Sequence, residues 1–279
     1  MMPARCVFGL TLACLAFAQG PARKLGLPQL LNRLAGQSET FRRIAPTMLA
    51  DETLTQRTRK QGTAGDYETH EVVSVYAFGG LPEAPTVIHE IRKVISVDGK
   101  QVTSREKARE AMTLGLHSED DKLKRRLLED FEKHGLRGAV TDFGQVILLF
   151  SARHQKDFQF ERAGDQVVGV DRALVLNYKQ TGGAGGVMIF RGNNAEKQAL
   201  QGELLLRESD GMPLRVTMTS TVTNKGVETK DTLEVNYIDS GLGCVAPLSV
   251  QHREYLKGEL VTENSFQYGQ FRRIGDQTK

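Results

Sequence analysis

The chain has 279 residues, of which 39% are hydrophobic and 25% charged, and its 37 Lys and Arg residues nearly balance its 34 Asp and Glu residues. A chain of this length can bury a substantial core, and the balanced charge argues against an intrinsically disordered protein. The net charge of +3 is too small to indicate nucleic acid or an anionic membrane as the main partner. The composition also excludes a collagen-like chain and a disulfide scaffold.

Residues 1–18 have the pattern of a secretory signal peptide. Arg5 is followed by an uncharged apolar stretch, and Ala16-Phe17-Ala18 supplies small residues at the positions that a signal peptidase reads. The stretch is shorter than the roughly 20 residues that a bilayer requires, which disfavours the alternative of a membrane anchor. We predict an exported protein, periplasmic or extracellular, whose mature form keeps only Cys244. Lipidation of Cys14 is a further, disfavoured alternative.

Apolar residues at helical spacing predict helix between 28 and 49. Pro28 suits the first turn of a helix, because its missing N–H has no partner there in any case. Gly36 and Pro46 are expected to interrupt the pattern, giving either two short helices or one kinked helix.

The next segments are typical of β-strands. Residues 52–61 alternate Leu and Thr with charged residues, and residues 67–78 end in a run of β-branched and aromatic types. Residues 86–97 predict a third strand, which the turn residues Asp98-Gly99 end.

Residues 103–152 predict a helical insert. Thr103 and Glu106 have the spacing of a capping box. A second helix is expected from Ser118 to Gly135. Residues 142–152 fit either a helix or a strand, and we favour the helix because its apolar residues recur at helical spacing. The expected buried residues of the second helix are Leu123, Leu127 and Phe131, and those of 142–152 are Phe143, Val146, Ile147 and Phe150.

From residue 157 onward the pattern is all β. The predicted strands are 157–162, 166–180, 186–191, 200–208, 213–223, 227–238, 246–256 and 259–273. Asp210-Gly211, Lys225-Gly226 and Lys257-Gly258 are predicted hairpin turns. Long strands joined by tight turns predict a broad antiparallel sheet with one apolar face, which must be covered. The helices predicted in 28–49 and 103–152 are the available cover.

The order of helix, Thr/Gln-rich strand and long antiparallel sheet resembles the lipoprotein-carrier superfamily, which includes LolA, LolB and the RseB-like sensors. The resemblance rests on residues 53–60 (TLTQRTRK), on Leu204-Leu205-Leu206 followed by the turn and strand entry of 209–215 (SDGMPLR), and on Tyr237 and Pro247. It implies an α+β fold: a large curved antiparallel sheet, or half-barrel, with helices covering its concave face. It also implies a hydrophobic cavity and no catalytic residue. We therefore expect a single half-barrel domain over 19–279, with the helical insert at 103–152.

Inward-facing apolar residues of this sheet are the candidate lining of a ligand cavity. The candidates are Met188, Phe190, Leu204, Leu206, Val216, Met218, Val235 and Tyr237. Core packing explains most such residues equally well, and incomplete filling by the helices would leave an apolar ligand site.

Motifs for catalysis, metals and cofactors are weak in this sequence. Ser104 and Lys107 form an S-x-x-K pattern without its companion motifs, so a helix start explains them better. The six His residues lack metal-ligand spacing, and the Gly-rich stretch 182–186 lacks the residues of a phosphate loop. The basic pair Arg272-Arg273 is best explained as part of a solvated face. We predict no metal, no cofactor and no nucleic-acid partner.

Two functions from different classes fit these observations. The first is a non-enzymatic binding protein for a lipid, a lipoprotein acyl chain or another hydrophobic ligand in the bacterial cell envelope, in contact with the membrane only peripherally. The second is an envelope protein-interaction or sensor module without a small-molecule ligand. An unrecognised hydrolase that uses Ser104 is a third and weaker alternative.

Overall fold

The computed structural model describes residues 25–60, 65–81, 84–118, 127, 134, 142–182, 187–191, 194–224 and 226–276. Side chains are described at these positions except 81, 84–86, 187–191, 194–198 and 224. The predicted signal peptide, most of the helix predicted from Ser118 to Gly135 and most of the Gly-rich stretch lie outside the described residues.

The α-helices with described bounds are α1 (Leu27–Ile44) and α2 (Arg105–His117). Short 3-10 helices lie at Ala45–Thr47, Val146–Phe150 and Gln155–Asp157. The strands are β1 (Met48–Arg59), β2 (Tyr67–Leu81), β3 (Ala84–Val97), β4 (Lys100–Gln101), β5 (Phe158–Val168), β6 (Asp171–Gln180), β7 (Val187–Arg191), β8 (Asn194–Gln198), β9 (Gln201–Arg207), β10 (Pro213–Asn224), β11 (Val227–Asp239), β12 (Val245–Leu256), β13 (Glu259–Tyr268) and β14 (Arg272–Arg273).

One large antiparallel sheet of 12 strands dominates the fold. Its order is β4-β3-β2-β1-β13-β12-β11-β10-β9-β6-β5, and β14 pairs with β1 off this path. The sheet is curved and open, with β4 and β5 at its edges, so the predicted α+β half-barrel is confirmed. The strands β7 and β8 pair with each other in a separate hairpin, and β8 was not among the predicted strands.

The face of this sheet that α1 covers is called the inner face here. Leu54 of β1, Val235 of β11 and Leu204 of β9 lie on it, in one buried cluster with Leu34 of α1. The 3-10 turn Val146–Phe150 belongs to the same cluster. The apolar stripe of α1 and this turn therefore provide the cover that the apolar sheet requires.

Helix α2 packs on the opposite, outer face, where it covers β2 and β3. Val75 and Ile91 of these strands form a second buried cluster with Met112 of α2 and with Leu127. The expectation that helices from both 28–49 and 103–152 cover one face thus holds for α1 and Val146–Phe150 but not for α2. The reason lies in β2, whose apolar residues are consecutive from Val75 to Phe78, so both of its faces need cover.

Helix α1 is a single helix, and the interruption predicted at Gly36 is wrong. Gly36 lies on the exposed side, and an added Cβ there would meet nothing within 4 Å. Pro46 does end the helix, because proline disrupts the backbone hydrogen bonding of a helix interior, and the chain continues as the 3-10 turn Ala45–Thr47.

The insert differs from its prediction in two details. The N-cap of α2 is Ser104 rather than Thr103, and its Oγ accepts a hydrogen bond from the backbone N–H of Lys107 at 3.2 Å. The helix favoured for 142–152 is limited to the short 3-10 helix Val146–Phe150, there is no strand in this range, and the predicted residues Phe143, Val146, Ile147 and Phe150 are all buried.

The second half of the chain follows the predicted strands with one regrouping. The strand β5 continues to Val168, past a register shift between Arg162 and Gly164, and a turn at Gly169-Val170 leads into β6. The predicted turn at Lys257-Gly258 is confirmed: both residues have positive φ, of 53° and 82°.

Candidate functional site

The inner face has an apolar region, defined here as the buried Leu, Val and Met side chains that β6, β9, β10 and β11 place on this face. Leu204, Val216 and Val235 are direct cross-strand neighbours on three successive strands, and each is 0% exposed. The apolar region consists of Leu174, Leu176, Leu204, Leu206, Val216, Met218, Leu233 and Val235. Its alternation with polar residues on the outer face is the signal that identified most of these residues from the sequence.

Six of the eight predicted cavity residues lie in or beside this region. Leu204, Leu206, Val216, Met218 and Val235 belong to it, and Tyr237 follows Val235 on the same face of β11; all six are buried. Met188 and Phe190 lie on β7, outside the large sheet, and their side chains are not among those described. The assignment of these residues to a cavity stays a prediction.

A second part of the inner face, the charged region, was missed by sequence reasoning. Arg92 of β3 is buried between two carboxylates: its Nε and Nη2 donate to the two oxygens of Glu52 at 2.7 and 2.9 Å, and Nη2 donates to Glu90 Oε2 at 2.7 Å. Tyr76 donates its hydroxyl hydrogen to Glu90 Oε1 at 2.8 Å, and the Arg92 guanidinium lies over the Tyr76 ring. The charged region is Glu52, Tyr76, Glu90, Arg92 and Tyr268.

Burial sets the electrostatics of the charged region. Removal from water raises the pKa of Glu90 to about 7, although the charge of Arg92 opposes the shift. Burial likewise raises the pKa of Tyr76, helped by the nearby Glu90 carboxylate, so this phenol stays a hydrogen-bond donor. The sequence did contain a signal for this region, because β2 is apolar on both faces. A charged side chain on a strand next to β2 is therefore expected to be shielded from water.

A segment that crosses the inner face, residues 142–151, is called the cover segment here. It is bonded to the charged region: Gly144 N–H donates to Glu90 Oε1 at 2.6 Å, and the Asp142 carboxylate accepts from the Glu90 N–H at 2.9 Å. A second oxygen of Asp142 lies 3.0 Å from His89 Nδ1. An added Cβ at Gly144 would come within 2.7 Å of Glu90 Oε1 and 2.9 Å of the Tyr76 hydroxyl, so this approach requires glycine.

The hydroxyl of Tyr237 fixes the other part of the cover segment. It donates to the carbonyl of Gly144 at 3.0 Å and accepts from the N–H of Ile147 at 3.2 Å. Burial raises the pKa of Tyr237 well above its usual range, so the hydroxyl keeps the proton that it donates. Tyr237 is therefore a polar attachment point as well as the apolar wall residue that the sequence predicted.

A buried polar row runs beside the apolar region. Gln56 Nε2 donates to Asn264 Oδ1 at 2.6 Å, and the Asn264 amide lies 3.3 Å from His252 Nδ1. His252 Nε2 lies 3.2 Å from Asp231 Oδ1, and the ring stacks on Phe143 of the cover segment with centroids 4.6 Å apart. Both ring nitrogens of His252 are thus within hydrogen-bond distance of a partner, Nδ1 of the Asn264 amide and Nε2 of Asp231.

Catalytic and metal-binding geometry has little support among the described residues. The hydroxyl of Ser104, the best nucleophile candidate in the sequence, caps α2. His89 and His252 lie in different hydrogen-bonded pairs, with Asp142 and Asp231. In the described part of the chain, no three His, Cys, Asp or Glu residues are grouped closely enough to hold a metal ion. None of the described helices is both long and apolar enough to cross a membrane.

Comparison with known proteins gives matches among solved structures alone. No family model matches the chain, and no curated protein matches it. One matching structure is a domain from Vibrio parahaemolyticus assigned to the outer membrane lipoprotein-sorting proteins, with 11% identity over 89% of this chain and 94% of that chain and a TM-score of 0.39. A LolA superfamily protein from Nitrosomonas europaea matches with 11% identity over 89% of this chain and 94% of that chain, at a TM-score of 0.31.

A third matching structure is a DUF1329 family protein from Desulfovibrio piger, with 9% identity over 89% of this chain and 92% of that chain and a TM-score of 0.36. One of the structures to which this chain is similar thus belongs to the LolA superfamily, which the sequence motifs resemble.

Proposed function

We propose that the protein is an exported, non-enzymatic binding protein for a lipid, a lipoprotein acyl chain or another hydrophobic molecule of the bacterial cell envelope. The observation that carries the proposal is the pairing of a broad apolar region with a short cover segment that does not belong to the sheet. Val146, Ile147 and Phe150 of this segment fill part of the inner face with apolar side chains. In this proposal an apolar ligand chain of similar volume covers the same part of the inner face in place of these side chains.

Ligand entry in this proposal displaces the cover segment. Binding is driven by burial of apolar surface, at about 25 cal/mol per Å². Opening breaks the hydrogen bonds of Gly144 and Asp142 with Glu90 and those of Tyr237 with the segment, and the ligand replaces the apolar contacts that the segment loses. A small set of directional bonds allows a closed state to open without unfolding of the sheet.

Two measurements on the purified chain test this proposal. Native mass spectrometry detects a co-purified lipid, and titration with a hydrophobic fluorescent dye measures access to the apolar region without interference, because the chain contains no Trp. Tyr237→Phe removes the hydroxyl that fixes the cover segment and is expected to increase dye binding several-fold. Tyr255→Phe, on the partly exposed part of β12, is the matched control and should leave dye binding unchanged.

The outcome that contradicts the proposal is the absence of bound lipid and of dye binding in both the wild type and Tyr237→Phe. Equal dye binding in Tyr237→Phe and Tyr255→Phe would exclude the cover segment as the element that opens.

A second candidate function, an envelope protein-interaction or sensor module, is favoured by a different observation. The tip of the β5–β6 hairpin exposes Val167 at 70%, Val168 at 40% and Val170 at 99%. Exposed apolar residues grouped in this way are typical of interaction sites. Capture of an envelope protein that Val167→Thr and Val170→Thr abolish, with dye binding unchanged, would favour this alternative.

A further inference from the structure

Three arginine side chains converge on one carboxylate at the outer face. Asp51 Oδ2 lies 3.3 Å from Arg105 Nη1, 3.2 Å from Arg109 Nη2 and 3.7 Å from Arg272 Nη2. Arg109 Nη2 also lies 3.4 Å from the second oxygen, Oδ1. All three guanidinium groups therefore lie within 3.7 Å of one carboxylate oxygen.

The three arginines come from elements far apart in the chain. Arg105 and Arg109 lie one turn apart on α2, and Arg272 lies on β14, which pairs with the beginning of β1. Because side chains alternate along a strand, Arg272 and its neighbour Arg273 point to opposite faces, so only Arg272 joins the group. The basic pair noted in the sequence is therefore divided between two environments.

The group remains accessible from solvent. The side chains of Arg109, Arg272 and Asp51 are each about a quarter exposed, and that of Arg105 is half-exposed. A small ion can reach them without rearrangement of the sheet.

Positive charge exceeds negative charge among the residues named. The three guanidiniums face Asp51, and Glu106 in the first turn of α2 is the other carboxylate whose charge acts on Arg105 and Arg109. Arg109 has a further interaction besides these. The Nε of Arg272 is buried and has no hydrogen-bond partner among the described residues. Like charges held this close repel each other, and a bound anion would relieve that repulsion.

We propose that Arg105, Arg109 and Arg272 form a binding site for a phosphoryl group, either free phosphate or the phosphate of a lipid headgroup. Guanidinium groups donate paired, directional hydrogen bonds that match phosphate oxygens, and three of them approaching from two elements suit a tetrahedral anion better than a planar carboxylate. Asp51 organises the arginines and competes with the anion for them. This site lies on the opposite face from the apolar region and does not depend on the function proposed above.

The test uses inorganic phosphate and the full mature chain. Calorimetric titration with phosphate, at constant ionic strength adjusted with chloride, should show saturable binding. The double variant Arg105→Gln/Arg272→Gln is expected to weaken it by tenfold or more, since charge-assisted hydrogen bonds are among the stronger ones. The matched control is Arg162→Gln/Arg253→Gln, which also removes two charges, from arginines paired with Asp165 and with Glu263. It should bind phosphate like the wild type.

The variant Asp51→Asn distinguishes an anion-binding site from a group in which Asp51 only links the arginines by ion pairs. An anion site predicts stronger phosphate binding and an unfolding temperature that phosphate raises more than in the wild type. If Asp51 only links the arginines by ion pairs, Asp51→Asn should be less stable than the wild type, and phosphate should not stabilise it. This result, together with no phosphate binding by the wild type, would overturn the proposal. Should Asp51→Asn not fold, the double variant alone decides.

Vesicles distinguish the two sources of the phosphoryl group. Sedimentation with phosphatidylglycerol vesicles but not phosphatidylcholine vesicles, lost in Arg105→Gln/Arg272→Gln, would assign the site to an anionic lipid headgroup. Binding of phosphate without binding of vesicles would assign it to the free anion. Equal phosphate binding by the wild type and the double variant, or none by either, would refute the site.

Discussion

The charged region and the apolar region share the inner face of one sheet, yet different forces stabilise them. In the charged region Arg92 is 5% exposed, and α2 covers the outer face behind it. Behind the apolar region, the outer faces of β10 and β11 carry Thr, Lys and Glu in contact with water. Where both faces of a strand are buried, a charged side chain must find its partner inside the protein; where one face is open, polar residues occupy that face.

The largest predicted effect tests the pairing in the charged region. Arg92→Met removes the cation that Glu52 and Glu90 share, and leaving a buried carboxylate unpaired costs about 3 to 5 kcal/mol. We expect this loss in the free energy of unfolding, measured by urea denaturation at pH 8 with circular dichroism. At pH 5 the loss should be smaller, because Glu90 then carries a proton.

The companion variant replaces the whole ion group. In Glu52→Gln/Glu90→Gln/Arg92→Met no buried charge is left, so much of the lost stability should return. A triple variant as unstable as Arg92→Met would show that shape, and not charge, determines the stability of this region.

In the apolar region the expected effect comes from a cavity. Leu204→Ala removes a fully buried side chain and should lower the free energy of unfolding by about 2 to 4 kcal/mol. The loss should be the same at pH 5 and pH 8, unlike that of Arg92→Met. Thr219→Ala on the outer face is the control and should change stability by less than about 0.5 kcal/mol. A pH-dependent loss in Leu204→Ala would contradict the division into two regions.

The pH dependence of stability sharpens the comparison further. Glu90 keeps its proton in the folded state up to pH about 7, whereas the unfolded chain releases it near pH 4.5. The folded state thus binds more protons between these values, and the contribution of Glu90 is full below pH 4.5 and is lost as pH rises through 7. A shift from 4.5 to about 7 corresponds to about 3 kcal/mol. Between pH 5 and pH 8 the wild type should therefore lose more stability than Glu90→Gln.

The control for this slope is Glu263 on the outer face. Burial opposes the shift there, but hydrogen bonds and charge from Arg253 and Arg57 lower the pKa of Glu263. Its contribution is complete above its unfolded pKa and is lost only in more acidic solution, so Glu263→Gln should leave the slope between pH 5 and pH 8 unchanged. Equal slopes in Glu90→Gln and the wild type would show that Glu90 titrates normally.

The sequence predicted the apolar region better than the charged region, for a physical reason. Alternation along a strand is a local signal, and it was enough to place Leu204, Val216 and Val235 on one buried face. Applied to β3, the same rule places Glu90 and Arg92 on a solvent-exposed face, because alternation within one strand cannot show that α2 covers the opposite, outer face.

Long-range contacts were beyond sequence reasoning altogether. The hydroxyl of Tyr237 bonds to Ile147, 90 positions away, and Arg109 meets Asp51 across 58 positions. Only the path of the folded chain brings these groups together. The sequence motifs gave the superfamily resemblance and the curved sheet, but not the attachment of the cover segment.

The smallest predicted effect concerns α1, which spans both regions. Arg33 of this helix bonds to the carbonyl of Ser209 beside the apolar region, and Phe41 packs edge-on against Phe78 of β2 beside the charged region. Gly36 lies between them on the exposed side. Gly36→Ala adds a methyl group into open space and removes the flexibility of glycine from the unfolded chain, so it should stabilise the protein by about 0.5 to 1 kcal/mol.

The matched substitution Gly144→Ala should do the opposite, because its Cβ would collide with Glu90 and Tyr76. Thermal unfolding of the two variants separates the cases: a higher unfolding temperature for Gly36→Ala and a lower one for Gly144→Ala. A lower unfolding temperature for Gly36→Ala would mean that α1 bends at Gly36 in solution. The two halves of α1 would then pack against the apolar region and the charged region independently.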